Sequence, residues 1–373
     1  MKKYYILILI TIFFINCKTT HTTSNQLQNT VIKVSKLRFI GEQIIPEKAT
    51  YKNTKVGGLS SIDYANDKYY LISDDKNRPI RFYEMGLTFN ATSFSKIDIT
   101  NVISIQNDSK KIDPESLRFD KSTGHFIWTS EGHIRKNISP AIFEISKNGE
   151  VIKTYPTPKN LQIHKDYKTN GPRKNGTFEG LSTSIDSDYF WVGMELPLKQ
   201  DGEEPQLTKG NYPVRISKIN KKTGELAFQF AYQLDEIPRD SKPSNKFIVN
   251  GLPEILEIDK NSFLFIERAY ASGHKDGGNT VKIYQVNCEK ASDISNIASL
   301  KNTPYIPATK TLLFDFETIR SKLTSGIVDN IEGITFGKKL ANGNQTLVVV
   351  SDNNFNIFGK QLSQIIVLEV INL

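Results

Sequence analysis

The feature that most constrains this chain is a pattern repeated five times: an acidic or glycine position, an apolar residue, a short polar stretch, an aromatic-rich run and a terminal acid. The copies are VGGLSSIDYANDKYYLISDD (56–75), DPESLRFDKSTGHFIWTSEG (113–132), FEGLSTSIDSDYFWVGMEL (178–196), PEILEIDKNSFLFIERAY (253–270) and IEGITFGKKLANGNQTLVVVSDNNF (331–355). Aligned on the acid or glycine near the start of each copy, they place Gly57, Glu115, Glu179, Glu254 and Glu332 at spacings of 58, 64, 75 and 78 residues. Each copy reads as a β-hairpin followed by one or two further strands, such as AIFEISKNGEVIKTY or RISKINKKTGELAFQFAYQL. Units of four strands at this period are the signature of propeller blades with enlarged loops. The expected fold is all-β: a single β-propeller, six-bladed if a strand pair from Lys33–Ile45 and Gln364–Asn372 closes a further blade. Long helical periodicity is missing, and the best helical candidate, Asp315–Leu323, is only about two turns.

The first residues bear on compartment. Lys2 and Lys3 precede an apolar run from Tyr4 to Ile15, which has the anatomy of a signal peptide. It is too short for a permanent span, which needs about 20 apolar residues. Cys17 follows directly in FINC, the arrangement of a lipobox whose cysteine becomes lipidated. Residues 1–16 are therefore expected to be a lipoprotein signal peptide, 17–30 a flexible tether and 31–373 the folded domain, a monomer held at the cell envelope by a lipid anchor. Cys288 is the other cysteine, so no disulfide staples the domain once Cys17 carries lipid. The formal charge of +8 falls to +6 without Lys2 and Lys3, and the basic residues are scattered among acids. Such a surface does not argue for nucleic acid.

The blocks GGLSSIDY with YYLISDD, DPESLRFD with FIWTSEG, NGTFEGLSTS with FWVGMELPL, LPEILEID with FLFIERAY, and NIEGITFG with LVVVSDNNF occur in that order. In order and content they resemble the sequence blocks of the phytase-like family, labelled "esterase-like activity of phytase", from about Val56 to Leu373. The resemblance implies a propeller in an extracytoplasmic setting, and its label implies ester hydrolysis.

Antiparallel pairing within each hairpin should bring its first and last acids to one edge of the sheet. Glu115 then meets Glu131, Glu179 meets Glu195, Glu254 meets Glu267 and Glu332 meets Asp352, while Asp74 faces Gly57. Carboxylates crowded around one channel mouth repel, so a cation must compensate. Oxygen ligands without a His or Cys cluster select Ca2+ first and Mg2+ second. Asp74, Glu115, Glu131, Glu195, Glu254, Glu267 and Asp352 are the expected metal ligands, Glu179 and Glu332 the expected catalytic acids. Arg81 and Arg268 are placed to grip phosphoryl oxygens. No G-x-S-x-G, H-E-x-x-H or phosphate-binding Gly-Lys loop occurs. The reading is a metal-dependent hydrolase of small phosphate or other anionic esters; the alternative is a calcium-stabilised binding or scaffold propeller without catalysis.

Overall fold

In the computed structural model the described residues are Met1, 34–75, 79–106 and 113–372; the expected signal peptide, the tether and Cys17 lie outside them. Strand β1 (Lys36–Ile45) is followed by a small hairpin of β2 (Thr50–Tyr51) and β3 (Thr54–Lys55). Blade 1 comprises β4 (Leu59–Ala65), β5 (Lys68–Ser73), β6 (Arg81–Phe89) and β7 (Phe94–Ser104). Blade 2 comprises β8 (Pro114–Asp120), β9 (His125–Ser130), β10 (Ala141–Ile145) and β11 (Val151–Tyr155). Blade 3 has β12 (Phe178–Thr183), β13 (Tyr189–Met194), β14 (Pro213–Asn220) and β15 (Leu226–Gln233). Blade 4 has β16 (Ile248–Asp259), β17 (Ser262–Ala271), β18 (Asn279–Asn287) and β19 (Thr309–Asp315). Blade 5 has β20 (Ile331–Phe336), β21 (Thr346–Ser351) and β22 (Ser363–Ile371), with β1 as its outer strand.

The propeller is five-bladed, which corrects the expected six. The terminal strands do pair, antiparallel from Lys36↔Ile371 to Ile45↔Ser363. They complete the fifth repeat instead of adding a blade, because β20 and β21 are only half of a four-stranded sheet. The N-terminal strand thus closes the ring onto the C-terminal one. The ring is formed by β4, β8, β12, β16 and β20, each packed beside the next and β20 beside β4.

Local sequence explains the hairpins. Asn66 and Asp67 join β4 to β5 with φ of 51° and 58°, and Lys52 and Asn53 join β2 to β3 with φ of 43° and 63°. Two successive left-handed residues make the turn that matches strand twist, and among residues with a side chain Asn and Asp tolerate it best. The second strands are buried on both faces, β21 throughout its length, because each blade is covered by its neighbours.

The core therefore lies between blades. Tyr70 and Phe82 of blade 1 meet Phe126 of blade 2 at ring separations of 4.8 and 5.0 Å. Tyr155 of blade 2 meets Phe190 of blade 3 at 5.0 Å, and Trp191 of blade 3 meets Phe263 of blade 4 at 5.1 Å. Tilted and edge-on aromatic pairs of this kind add to the burial of their rings. Between blades 4 and 5 the packing turns aliphatic, with Ile266, Ile283, Ile334 and Val349. The helical candidate is a 3-10 helix, Phe316–Lys322, started by the Asp315 carboxylate accepting the Glu317 N–H at 2.9 Å.

Candidate functional site: an acidic mouth above a plugged channel

Every inner strand starts, and every second strand ends, at the same face of the ring. Four backbone bonds fix the register there: the N–H groups of Asp74, Glu131, Glu195 and Asp352 donate to the carbonyls of Gly58, Asp113, Thr177 and Asn330 at 2.6, 2.8, 2.8 and 2.9 Å. A register shift follows in each inner strand, as between Pro114 and Leu117 and between Ile331 and Gly333. The shift turns the next side chain toward the axis, and this is where Glu115, Glu179 and Glu332 stand.

One oxygen each from Asp74, Asp113 and Glu115 lie within 4.8 Å of one another, and so do oxygens of Glu115, Glu131 and Glu179. Glu115 belongs to both triads. Arg268 enters from blade 4, its Nη2 3.3 Å from Glu195 and 3.1 Å from Glu332. Glu131 is held by the N–H groups of Gly176 and Thr177, the latter at 3.1 Å, which end the long basic loop after β11. Glu332 accepts from the Asn330 side-chain amide at 2.8 Å. Among the described residues no hydrogen bond reaches the carboxylates of Glu115 and Glu179. The acids that converge are thus Asp74, Glu115, Glu131, Glu179, Glu195, Glu332 and Asp352, joined by Asp113, which sequence reasoning left unassigned although it opens the DPES block.

The electrostatics follow from burial. Burial raises the Glu115 carboxyl well above the usual range, and the charges of Glu179, Asp74, Asp113 and Glu131 raise it further. Glu179 is raised well above its ordinary value by burial and then by Glu195, Glu131 and Glu332, with Arg268 opposing. Burial pushes Glu131 up to about 7, reinforced by Glu195 and Asp113 against the two backbone N–H groups. Glu332 is pushed up to about 8 by burial and by Asp352, with Arg268 opposing. Carboxyls buried against one another hold protons unless a cation replaces them. The donor set fits a hard cation, being all oxygen and anionic, with no His or Cys in either triad.

A pH dependence follows with a definite sign. An acid whose pKa is raised on folding binds more protons in the folded state between its unfolded and folded values, so stability falls as pH rises through that window. For Glu131 and Glu332 the window runs from about 4.5 to 7 and to 8. Chelator-treated domain is expected to lose on the order of 2–3 kcal/mol for each of these groups between pH 5 and pH 8. Urea unfolding across that range checks it, and a stability that rises with pH contradicts it.

Two expected ligands are elsewhere. Glu254 pairs with Ile266 across the hairpin, where Leu117 pairs with Trp128 in blade 2, so it lies two positions deeper than Glu115 does. The position matching Glu115 is Leu252. Fully buried, Glu254 binds Arg118 Nη2 at 2.7 Å, the Ser116 hydroxyl at 3.0 Å and the Leu181 N–H at 2.7 Å. Arg118, 1% exposed, also donates to the carbonyls of Leu181 at 2.6 Å and Ile62 at 2.7 Å. One guanidinium thereby ties β8 to β4, β12 and β16 and plugs the channel beneath the mouth. Burial still pushes the Glu254 carboxyl up to about 7, against the opposing charge of Arg118.

Glu267 falls on the opposite pleat from the mouth. It accepts from Tyr232 at 2.5 Å, from the Asp235 N–H at 3.0 Å and from Asn250 at 3.1 Å, and it pairs with Lys310. Arg81 is not beside Arg268 either: its donors go to Asp75 at 2.8 Å, Tyr83 at 2.7 Å and the carbonyls of Lys55 and Pro79 at 2.8 and 3.2 Å. Arg81 is thus a braced structural group, which corrects its expected place in a phosphate clamp.

Comparison with solved structures finds distant propellers. A thermostable family-43 glycoside hydrolase is 11% identical with a TM-score of 0.46, covering 87% of this chain and 93% of its own. A xylan β-1,4-xylosidase from Bacillus halodurans is 11% identical with a TM-score of 0.44, covering 83% of this chain, which spans about half, 52%, of the xylosidase. The Dos1 propeller is 7% identical with a TM-score of 0.33, covering 84% of this chain and 68% of its own. No curated protein matches the chain. The sequence profile of the phytase-like family, described as "esterase-like activity of phytase", matches residues 54–355, and the chain belongs to that family.

Proposed function

We propose that the acidic mouth is the site of a cation-dependent hydrolase of phosphate esters, in an extracytoplasmic protein anchored through lipid on Cys17. The observation that carries this reading is Glu115, a buried carboxylate common to two triads of oxygen ligands. Asp74, Asp113 and Glu115 would hold one cation, Ca2+ in the first instance, and Glu115, Glu131 and Glu179 would hold another. When bound, such cations lower the pKa of water and neutralise charge that develops on phosphoryl oxygens. The protein's own groups orient and screen. The N–H groups of Gly176 and Thr177 fix Glu131, Asn330 fixes Glu332, and Arg268, whose Nη2 reaches Glu195 and Glu332, supplies a guanidinium charge for an anionic oxygen. Glu332, beside Arg268 and Asn330, is the carboxyl suited to exchange a proton with a leaving oxygen.

The test is turnover of phosphomonoesters and diesters by the mature domain, with Ca2+ and with chelator. Ca2+-dependent hydrolysis is expected, falling about 10²-fold or more in Glu179→Gln and Glu332→Gln while both variants stay folded. Arg268→Ala should raise KM as well as lower kcat, since a phosphate contact acts in ground and transition states. Wild type without phosphoester turnover under any divalent ion leaves the non-catalytic binding propeller as the reading.

A further inference from the structure

Between the mouth and Arg81 the chain takes an unusual path. Asn354, Phe355 and Asn356 follow one another with φ of 44°, 49° and 62°. Asparagine visits the left-handed region readily; phenylalanine does so rarely and at a cost. The loop is held there on purpose-built contacts. Buried Asn353 accepts with one side-chain oxygen the N–H groups of Gly58 at 2.9 Å and of Phe355 at 3.2 Å. The Phe355 ring lies so close over Gly58 that a Cβ there would stand 2.4 Å from it, and one on Gly57 would stand 3.3 Å away. Here the first repeat has Gly57–Gly58 because the ring of the fifth occupies the space a side chain would need. Lys55 and Arg81 flank the ring at 5.4 and 6.0 Å from its centre. The Gly58 carbonyl accepts the Asp74 N–H at 2.6 Å, so the ring borders the Asp74–Asp113–Glu115 triad.

Phe355 keeps part of its surface open to solvent, and Ile357 and Phe358, further along the loop, are 73% and 80% exposed. An apolar wall with cationic flanks thus stands beside an acid cluster, on a loop that follows directly from Asp352.

Resting on the hydrolase reading of the mouth, we propose that Phe355 is a specificity-determining residue, receiving an aromatic or otherwise planar apolar ester group of the substrate while its phosphate sits at the acids. The strain at Phe355 is then the cost of presenting a ring where no left-handed-tolerant residue would supply one.

The experiment compares phenyl phosphate with methyl phosphate in wild type, Phe355→Asn and Phe355→Gly. Both replacements accept the left-handed backbone, so the loop keeps its path when the ring is removed. In each variant kcat/KM for phenyl phosphate is expected to fall about 10-fold or more while that for methyl phosphate stays within about 2-fold. An equal fall for both esters, or no fall, overturns the proposal and marks the ring as a structural cover for Gly58. If wild type hydrolyses neither ester, the hydrolase reading fails by itself. Calorimetric binding of phenylphosphonate against methylphosphonate then decides on Phe355. A preference of about 10-fold in wild type, lost in both variants, supports it, and no preference overturns it.

Discussion

Arg118→Met is expected to destabilise the domain by about 3–5 kcal/mol, because it removes one partner of a buried ion pair and leaves the other without compensation. Glu254 is fully buried, and the charge of Arg118 opposes its desolvation. The carbonyls of Leu181 and Ile62 lose a donor at the same time. Protonation of Glu254 limits the loss, since burial already draws its carboxyl up to about 7. The double variant Arg118→Met, Glu254→Leu should recover part of the stability, as apolar replacement of a whole buried pair is often neutral. Denaturant unfolding at neutral pH checks this. A single variant within about 0.5 kcal/mol of wild type would show that the plug does not hold the inner strands together.

The second large effect concerns Glu115→Gln. Without a cation, this change removes a charge from a repelling cluster, so chelated variant should be at least as stable as chelated wild type at pH 8. With Ca2+ at 100 times its dissociation constant, wild type should gain about 2.7 kcal/mol for each ion bound to the folded state alone. The variant should gain much less, because the anionic ligand common to both triads is reduced to one neutral amide oxygen. The order of the two proteins therefore reverses on adding Ca2+. Parallel shifts in both would place the cation away from Glu115.

Much of the architecture was legible because it repeats. Five blocks gave five hairpins, and acids at strand ends reached one face because antiparallel pairing leaves no other arrangement. Blade number is less legible, because terminal strands that pair can either add a blade or complete one, and only the fifth repeat's missing strands distinguish the two. Glu254 and Glu267 were misplaced for a different reason. Pro253–Glu254–Ile255 looks like Pro114–Glu115–Ser116, yet β16 begins at Ile248 and its register shift lies between Gly251 and Glu254. An offset in the chain exchanges mouth for channel interior or one pleat for the other, and no composition signal reports it. Arg118 and Phe355 act across blades, Arg118 touching strands 56 and more residues away and Phe355 covering Gly58. Contacts of that range are invisible in a local pattern. Arg81 shows the converse, a residue near the acids in sequence whose donors turn to Tyr83, Asp75 and the β3 backbone.

The most direct test of a cation site shared through Glu115 is calorimetric titration of Ca2+ into chelator-treated wild-type domain at pH 8, beside its melting temperature. Saturable binding of two ions, with a raised melting temperature and with both effects largely lost in Glu115→Gln, is the predicted result. No binding heat and an unchanged melting temperature would contradict it and reduce the acidic mouth to a proton-sharing cluster braced by Arg268.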